Sequence, residues 1–180
     1  MAQFVAFSPA VEVNGQTVLA VVAGMGAFKD IAHEILTDKG IVDPQPGEWY
    51  SQQSWLDAYK DVAEKLGAKT LTQIGKSIPE NADFPPDIDT IEKALASIDV
   101  AYHMNHRGGE IGHYNYTQVD EKSGKIVCDN PYPCDFDFGI ITAMARRFSP
   151  QGVFADVSHD DTQPCRKKGA ETCTYMISWR

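Results

Sequence analysis

The sequence predicts an α+β domain, with helices packed on a mostly antiparallel four-stranded sheet and one helix crossing between strands. Three observations lead there. Apolar residues in the middle third recur at helical spacing, the last third alternates with period two, and one amphipathic helix interrupts the alternating segments.

Composition sets the frame. The chain has 180 residues, 43% of them apolar, which is enough for a core without disulfide staples. Asp and Glu number 25 against 16 Lys and Arg, a formal charge of −9. Nucleic acid and anionic membranes reward clustered Lys and Arg, so neither is an expected partner. The longest apolar run, Val18 to Ala23, is too short to span a bilayer, and the first residues carry no basic, signal-like segment. A cytoplasmic protein is expected, and its four Cys are then free thiols or metal ligands before they are disulfides.

The N-terminal part, 1–43, reads as a hairpin and a helix. Val11 to Val13 and Thr17 to Val22 flank Asn14-Gly15, a hairpin signal. Gly24-Met25-Gly26 then leads into a helix from Ala27 to Asp38, closed by Gly40. That glycine pair lies where a phosphate loop would, but Lys29 holds the third glycine's place. The Asp43–Gly47 breaker separates this part, as a lobe or as the same domain, from a ligand-binding region over 48–180.

Trp55, Tyr59, Val62 and Leu66 mark a helix stopped at Gly67, and Leu71, Ile74 and Ile78 a second, shorter one. After Pro85-Pro86, Asp89 and Glu92 have capping-box spacing, and Ile91, Leu95, Ile98 and Tyr102 line one helix face. His113–Asp120 and Lys125–Asp129 form a hairpin about a Glu121–Gly124 turn. Phe136 to Phe148 is the crossing helix, with Asp135 and Asp137 at its start and Arg146 and Arg147 at its end. Gly152–His159 and Thr172–Trp179 are the last two strands.

Strand parity selects the candidate chemistry. Cys173 shares the apolar face of Tyr175, Ile177 and Trp179, and His159 shares the inward face of Val153, Ala155 and Val157. A hairpin turning at Gly169 sets Cys165 opposite Cys173. Cys134 stands at a helix start, where a thiolate is favoured. Cys134, His159, Cys165 and Cys173 together meet the donor set of a tetrahedral zinc site, while Cys128 belongs to the core. The same thiols read equally well as buried and inert. A second group, Tyr102, His106, Tyr114 and Tyr116, suits a small and mostly apolar ligand with one or two polar handles.

The region from Tyr102 to Trp179 resembles the 4-vinyl reductase, or hydrocarbon-binding, domain family. The resemblance is carried by Cys134 with Gly139, by Cys165, Gly169 and Cys173, and by the Tyr175-x-Ile177-x-Trp179 ending, with Gly75 upstream. It implies a fold similar to trafficking-complex subunits and haem-based nitric-oxide sensors. It also implies a ligand-sensing module for small hydrophobic molecules, often dimeric. Phenol-sensing members hold zinc with three Cys and an acidic residue; Thr162 stands at the acidic position here, with His159, Asp160 and Asp161 nearby.

The expected function is therefore a non-catalytic, homodimeric sensory domain for an apolar or aromatic ligand, with zinc as its metal. Two alternatives stand beside it. One is a Cys-dependent hydrolase of a small cyclic substrate, with Cys134 as nucleophile and His159 as base. The other is a haem or tetrapyrrole protein with His103, His106 or His113 as axial ligand.

Overall fold

A computed structural model describes residues 3–180. The fold is α+β, as the sequence predicts. Among the described residues, six helices pack on two antiparallel sheets. The smaller sheet sets β1 (Glu12–Asn14) between β2 (Trp49–Ser51) and β3 (His106–Arg107). The larger has the order β4 (Tyr114–Asp120), β5 (Ser123–Cys128), β7 (Cys173–Trp179), β6 (Ala155–His159), with every pair antiparallel.

The first hairpin is not formed. Thr17–Val22 lies inside helix α1 (Gly15–Met25), and Asn14 is its N-cap, accepting from Gln16 N at 2.7 Å. Asn serves caps as readily as turns. Gly15 is needed here because a Cβ would collide with the Gln45 carbonyl. The phosphate-loop reading also falls: Gly24 lies within α1, and Gly26 ends it at φ +51°. A short 3-10 turn, Gly26–Phe28, then leads into α2 (Lys29–Asp38).

Helix α3 (Gln52–Leu66) is capped by Ser51, and α4 (Ala68–Asn81) runs longer than Leu71, Ile74 and Ile78 suggest. The cap of α5 (Ile91–Met104) is Thr90, which accepts from Lys93 N, while Asp89 pairs with Lys93; the Asp89/Glu92 box does not form. Helix α6 (Cys134–Arg147) crosses α4 where Gly75 meets Gly139. A Cβ on Gly75 would strike the Phe136 carbonyl, and one on Gly139 the Thr72 carbonyl. The two glycines let these backbones touch, and that contact fixes where α6 presents its first turn. No helix among the described residues is long and apolar enough to cross a membrane.

Candidate functional site

Helices α1, α3, α4, α5 and α6 meet the sheets around an almost wholly apolar cavity of about 40 Å³. Its wall includes Trp55, Ile98, Ala101, Phe136 and Ile140, together with Tyr102, His106, Tyr114 and Tyr132. Tyr102, His106 and Tyr114 thus lie together. Tyr116 does not join them: it sits farther along β4 with its ring against Gly124, so its place in the ligand group is corrected.

The polar groups on this wall are tied to one another. Tyr102 OH donates to the Ile111 carbonyl at 2.6 Å. His106 Nδ1 is 2.7 Å from the Tyr102 carbonyl, which can only accept, so Nδ1 carries the proton. Nε2 is then the acceptor for Tyr132 OH at 2.6 Å, and Gln52 Nε2 donates to that phenol oxygen at 3.2 Å. Burial holds the His106 pKa down to about 4, so the ring is neutral. Two donors stay idle: Trp55 Nε1 and Tyr59 OH are buried without a partner.

Tyr114 leads out of the cavity. Its OH donates to Asp137 Oδ1 at 2.6 Å, and the other carboxylate oxygen takes the Arg166 guanidinium. Both charges are fully shielded from solvent, and Arg166 also reaches Asn130. Burial pushes Asp137 up to about 6 against the pull of Arg166 and the Tyr114 hydroxyl.

Arg166 opens onto the thiols. Sγ of Cys134 and Sγ of Cys173 are 2.7 Å apart, and each is 3.8 Å from Sγ of Cys165. A His159 nitrogen and the three sulfurs all lie within 4.8 Å of one another. Nδ1 of His159 is 2.9 Å from Asp161, whereas its Nε2 is buried and unpartnered. Cys165 reaches Cys173 without a β-hairpin. A 3-10 turn, Arg166–Lys168, ends at Gly169 with φ +84°, and Cys173 opens a strand paired to β5 and β6. Cys128 is buried outside the group.

The favoured thiolate is not the one at the helix start. The hydrogen bond from Cys134 is the largest cause lowering the Cys173 pKa, helped by Arg166, whose backbone N–H donates to Sγ. The same hydrogen bond and burial push the Cys134 thiol up. A cleft of about 290 Å³ lies outside the thiols, lined by Asp135, His159, Asp161, Lys167 and Lys168 among others.

No family model matches the chain, and no curated protein does. Solved structures do. An H-NOX protein from S. oneidensis, described in its Fe(II) ligation state, has a TM-score of 0.69 at 17% identity over 93% of this chain and 96% of that one. An oxygen-binding H-NOX domain related to soluble guanylate cyclases gives 0.66 at 15%, covering 93% and 95%. The chain has the H-NOX fold. The expected likeness to haem-based nitric-oxide sensors therefore holds at the level of fold. A third neighbour, also at 0.66 and 15% with 93% and 95% covered, is described in terms of haem redox potential and porphyrin distortion. Two of these neighbours are described by iron or haem where the sequence pointed to zinc, and zinc is withdrawn as the cofactor.

The residues present do not fit haem. The one buried histidine on the cavity, His106, has both ring nitrogens engaged, while His103 lies exposed and His113 half-buried. The interior is filled by Trp55, Tyr59, Tyr132 and Phe136, whose ring centroids are 4.8–6.2 Å apart. What remains, about 40 Å³, holds a few water-sized atoms.

Gln52, Tyr132, Asp137 and Arg166 were not found from sequence. Asp137 and Arg166 read as ordinary surface charges beside a helix start and in a basic turn. One usable signal was Asp137's spacing of three from Cys134, which puts it on the same inward face of α6.

Proposed function

We propose that this chain is a sensory domain that takes a small, uncharged molecule directly into the cavity between helices and sheet. The carrying observation is the apolar cavity with its internally satisfied His106–Tyr132–Gln52 chain and the idle Trp55 donor on the wall. A volume of about 40 Å³ suits two or three heavy atoms; benzene occupies an engineered cavity of about 150 Å³. The ligand is thus smaller than the aromatic molecules the family resemblance implies.

The neighbours favour the haem alternative over an apolar or aromatic ligand, since iron and haem are what they describe. The packing of this chain speaks against it, because His106 must give up Tyr132 before it can ligate iron. The Cys-x₃-Gly-x₃-Cys ending supports the finer 4-vinyl reductase resemblance. Its residues Cys134, His159, Cys165 and Cys173 are proposed as a ligand set for a soft cation, with no ion assigned.

Xenon tests the cavity. Side-chain methyl NMR under xenon pressure is expected to shift Ile98, Ala101 and Ile140, and Ala101→Phe is expected to remove the shifts. Unmoved methyls in a protein with a native spectrum would contradict the proposal.

A further inference from the structure

Three chemistry-bearing residues stand together on the outside of the molecule, behind the Tyr102 and Tyr114 wall of the cavity and apart from the thiols. Asp99 and His103 are one turn apart on α5, and His113 stands just before β4. Their donor atoms, one from each residue, lie within 4.8 Å of one another, one of two such groups among the described residues. The two imidazole rings face each other with centroids 5.0 Å apart, tilted by 31°.

Asp99 organises the group. Its Oδ1 accepts the Tyr114 backbone N–H at 2.8 Å, which fixes the carboxylate against the start of β4. Its backbone carbonyl takes His103 Nδ1–H at 2.8 Å, and its carboxylate lies 3.3–3.4 Å from His113 Nδ1. His103 is held as ligating imidazoles commonly are, one ring nitrogen on a carbonyl and the other free. Glu110 adds negative charge beside the same rings; its carboxylate is anchored by the N–H groups of Ile111 and Gly112. The side chains are 42%, 45% and 32% exposed for His103, His113 and Asp99, so the group is open to water and to ions.

We infer that Asp99, His103 and His113 form a surface site for a borderline divalent transition ion, bridging α5 to the sheet. Two imidazoles and one carboxylate with free positions suit Ni²⁺, Cu²⁺ or Fe²⁺, whereas thiolates suit softer ions. Donors about 2.0–2.2 Å from an ion sit closer together than 4.8 Å, so the two exposed rings swing inward on binding. The inference is independent of what the cavity holds.

Calorimetric titration of the full chain with Ni²⁺ tests it, with His103→Ala, His113→Ala, Asp99→Asn and the thiol control Cys134→Ser. One saturable Ni²⁺ is expected in the wild type and in C134S, with no detectable binding at this site in H103A or H113A. D99N removes the carboxylate donor and is expected to lose detectable binding at this site as well. Paramagnetic broadening by Ni²⁺ confined to the His103 and His113 ring signals supports the site without relying on any variant. Absence of binding in the wild type overturns the inference. So does binding unchanged in H103A and H113A, or lost only in C134S.

Discussion

The interior cavity and the thiol cluster are both lined by α6, yet they are built oppositely. The cavity lies between helices and sheet with an apolar wall, and its His106, Tyr132 and Gln52 groups satisfy one another while Trp55 Nε1 stays idle. The thiol cluster lies at loop ends, opens to a cleft and leaves His159 Nε2 without a partner. Satisfied polar groups leave the cavity to small uncharged ligands, whereas crowded sulfurs beside an idle nitrogen invite a cation. A single buried path joins the two: Tyr114 to Asp137, Asp137 to Arg166, Arg166 to Cys173.

Cutting that path is the strongest way to break the comparison. Asp137→Asn leaves the Arg166 charge buried and uncompensated, and about 3–5 kcal/mol of stability is expected to go. Urea denaturation reads this. A loss below about 1 kcal/mol would mean that Arg166 finds water and the two regions are independent.

Moving α6 as a whole acts on both regions at once. Gly139→Ala forces a Cβ onto the Thr72 carbonyl, with an expected cost of about 1–3 kcal/mol. Both the cavity methyls and the thiol reactivities are expected to change. A change in one region alone would show that α6 does not couple them.

Acid sharpens the contrast from the cavity side. His106 is held near 4 when folded, while an unfolded histidine takes its proton near 6.5. Between those values the unfolded chain binds the extra proton, so this residue's contribution is present above about 6.5 and is lost as pH falls toward 4. The loss approaches roughly 3 kcal/mol. His106→Phe is expected to cost about 1–3 kcal/mol at pH 7, through the orphaned Tyr132 hydroxyl, and to flatten this part of the pH profile. An unchanged pH profile would show that His106 is not the group responsible.

Cys165→Ser is expected to have the smallest effect, under about 1 kcal/mol, because Cys165 is the member of the group farthest from the other two sulfurs. It should leave the cavity methyls unmoved in the same NMR spectra.

Much of the sheet and its crossing helix was legible. Strand parity placed Cys173, Tyr175 and Ile177 inward because one face of β7 packs on the core. The approach of Cys165 to Cys173 was legible in distance but not in form, since a 3-10 turn closes the same gap as a hairpin. The N-terminal helix was missed because Val, Thr and Leu in α1 read as strand residues, and burial against α4 overrides that preference. Tyr116 shares a face with Tyr114, but period two says nothing of how far along the strand the cavity extends. Asp137 and Arg166 were illegible because a buried ion pair is defined by two distant residues meeting, which no local pattern records.

This interior, narrowed by the Tyr132–His106 bond and the packed aromatic rings, is expected to admit a molecule of a few atoms and no porphyrin. Titration of the purified chain with haemin, followed by absorbance and native mass spectrometry, tests it most directly. The account predicts no one-to-one complex and no Soret band beyond that of free haemin. A stoichiometric haem complex whose Soret band is lost in His106→Ala would contradict it.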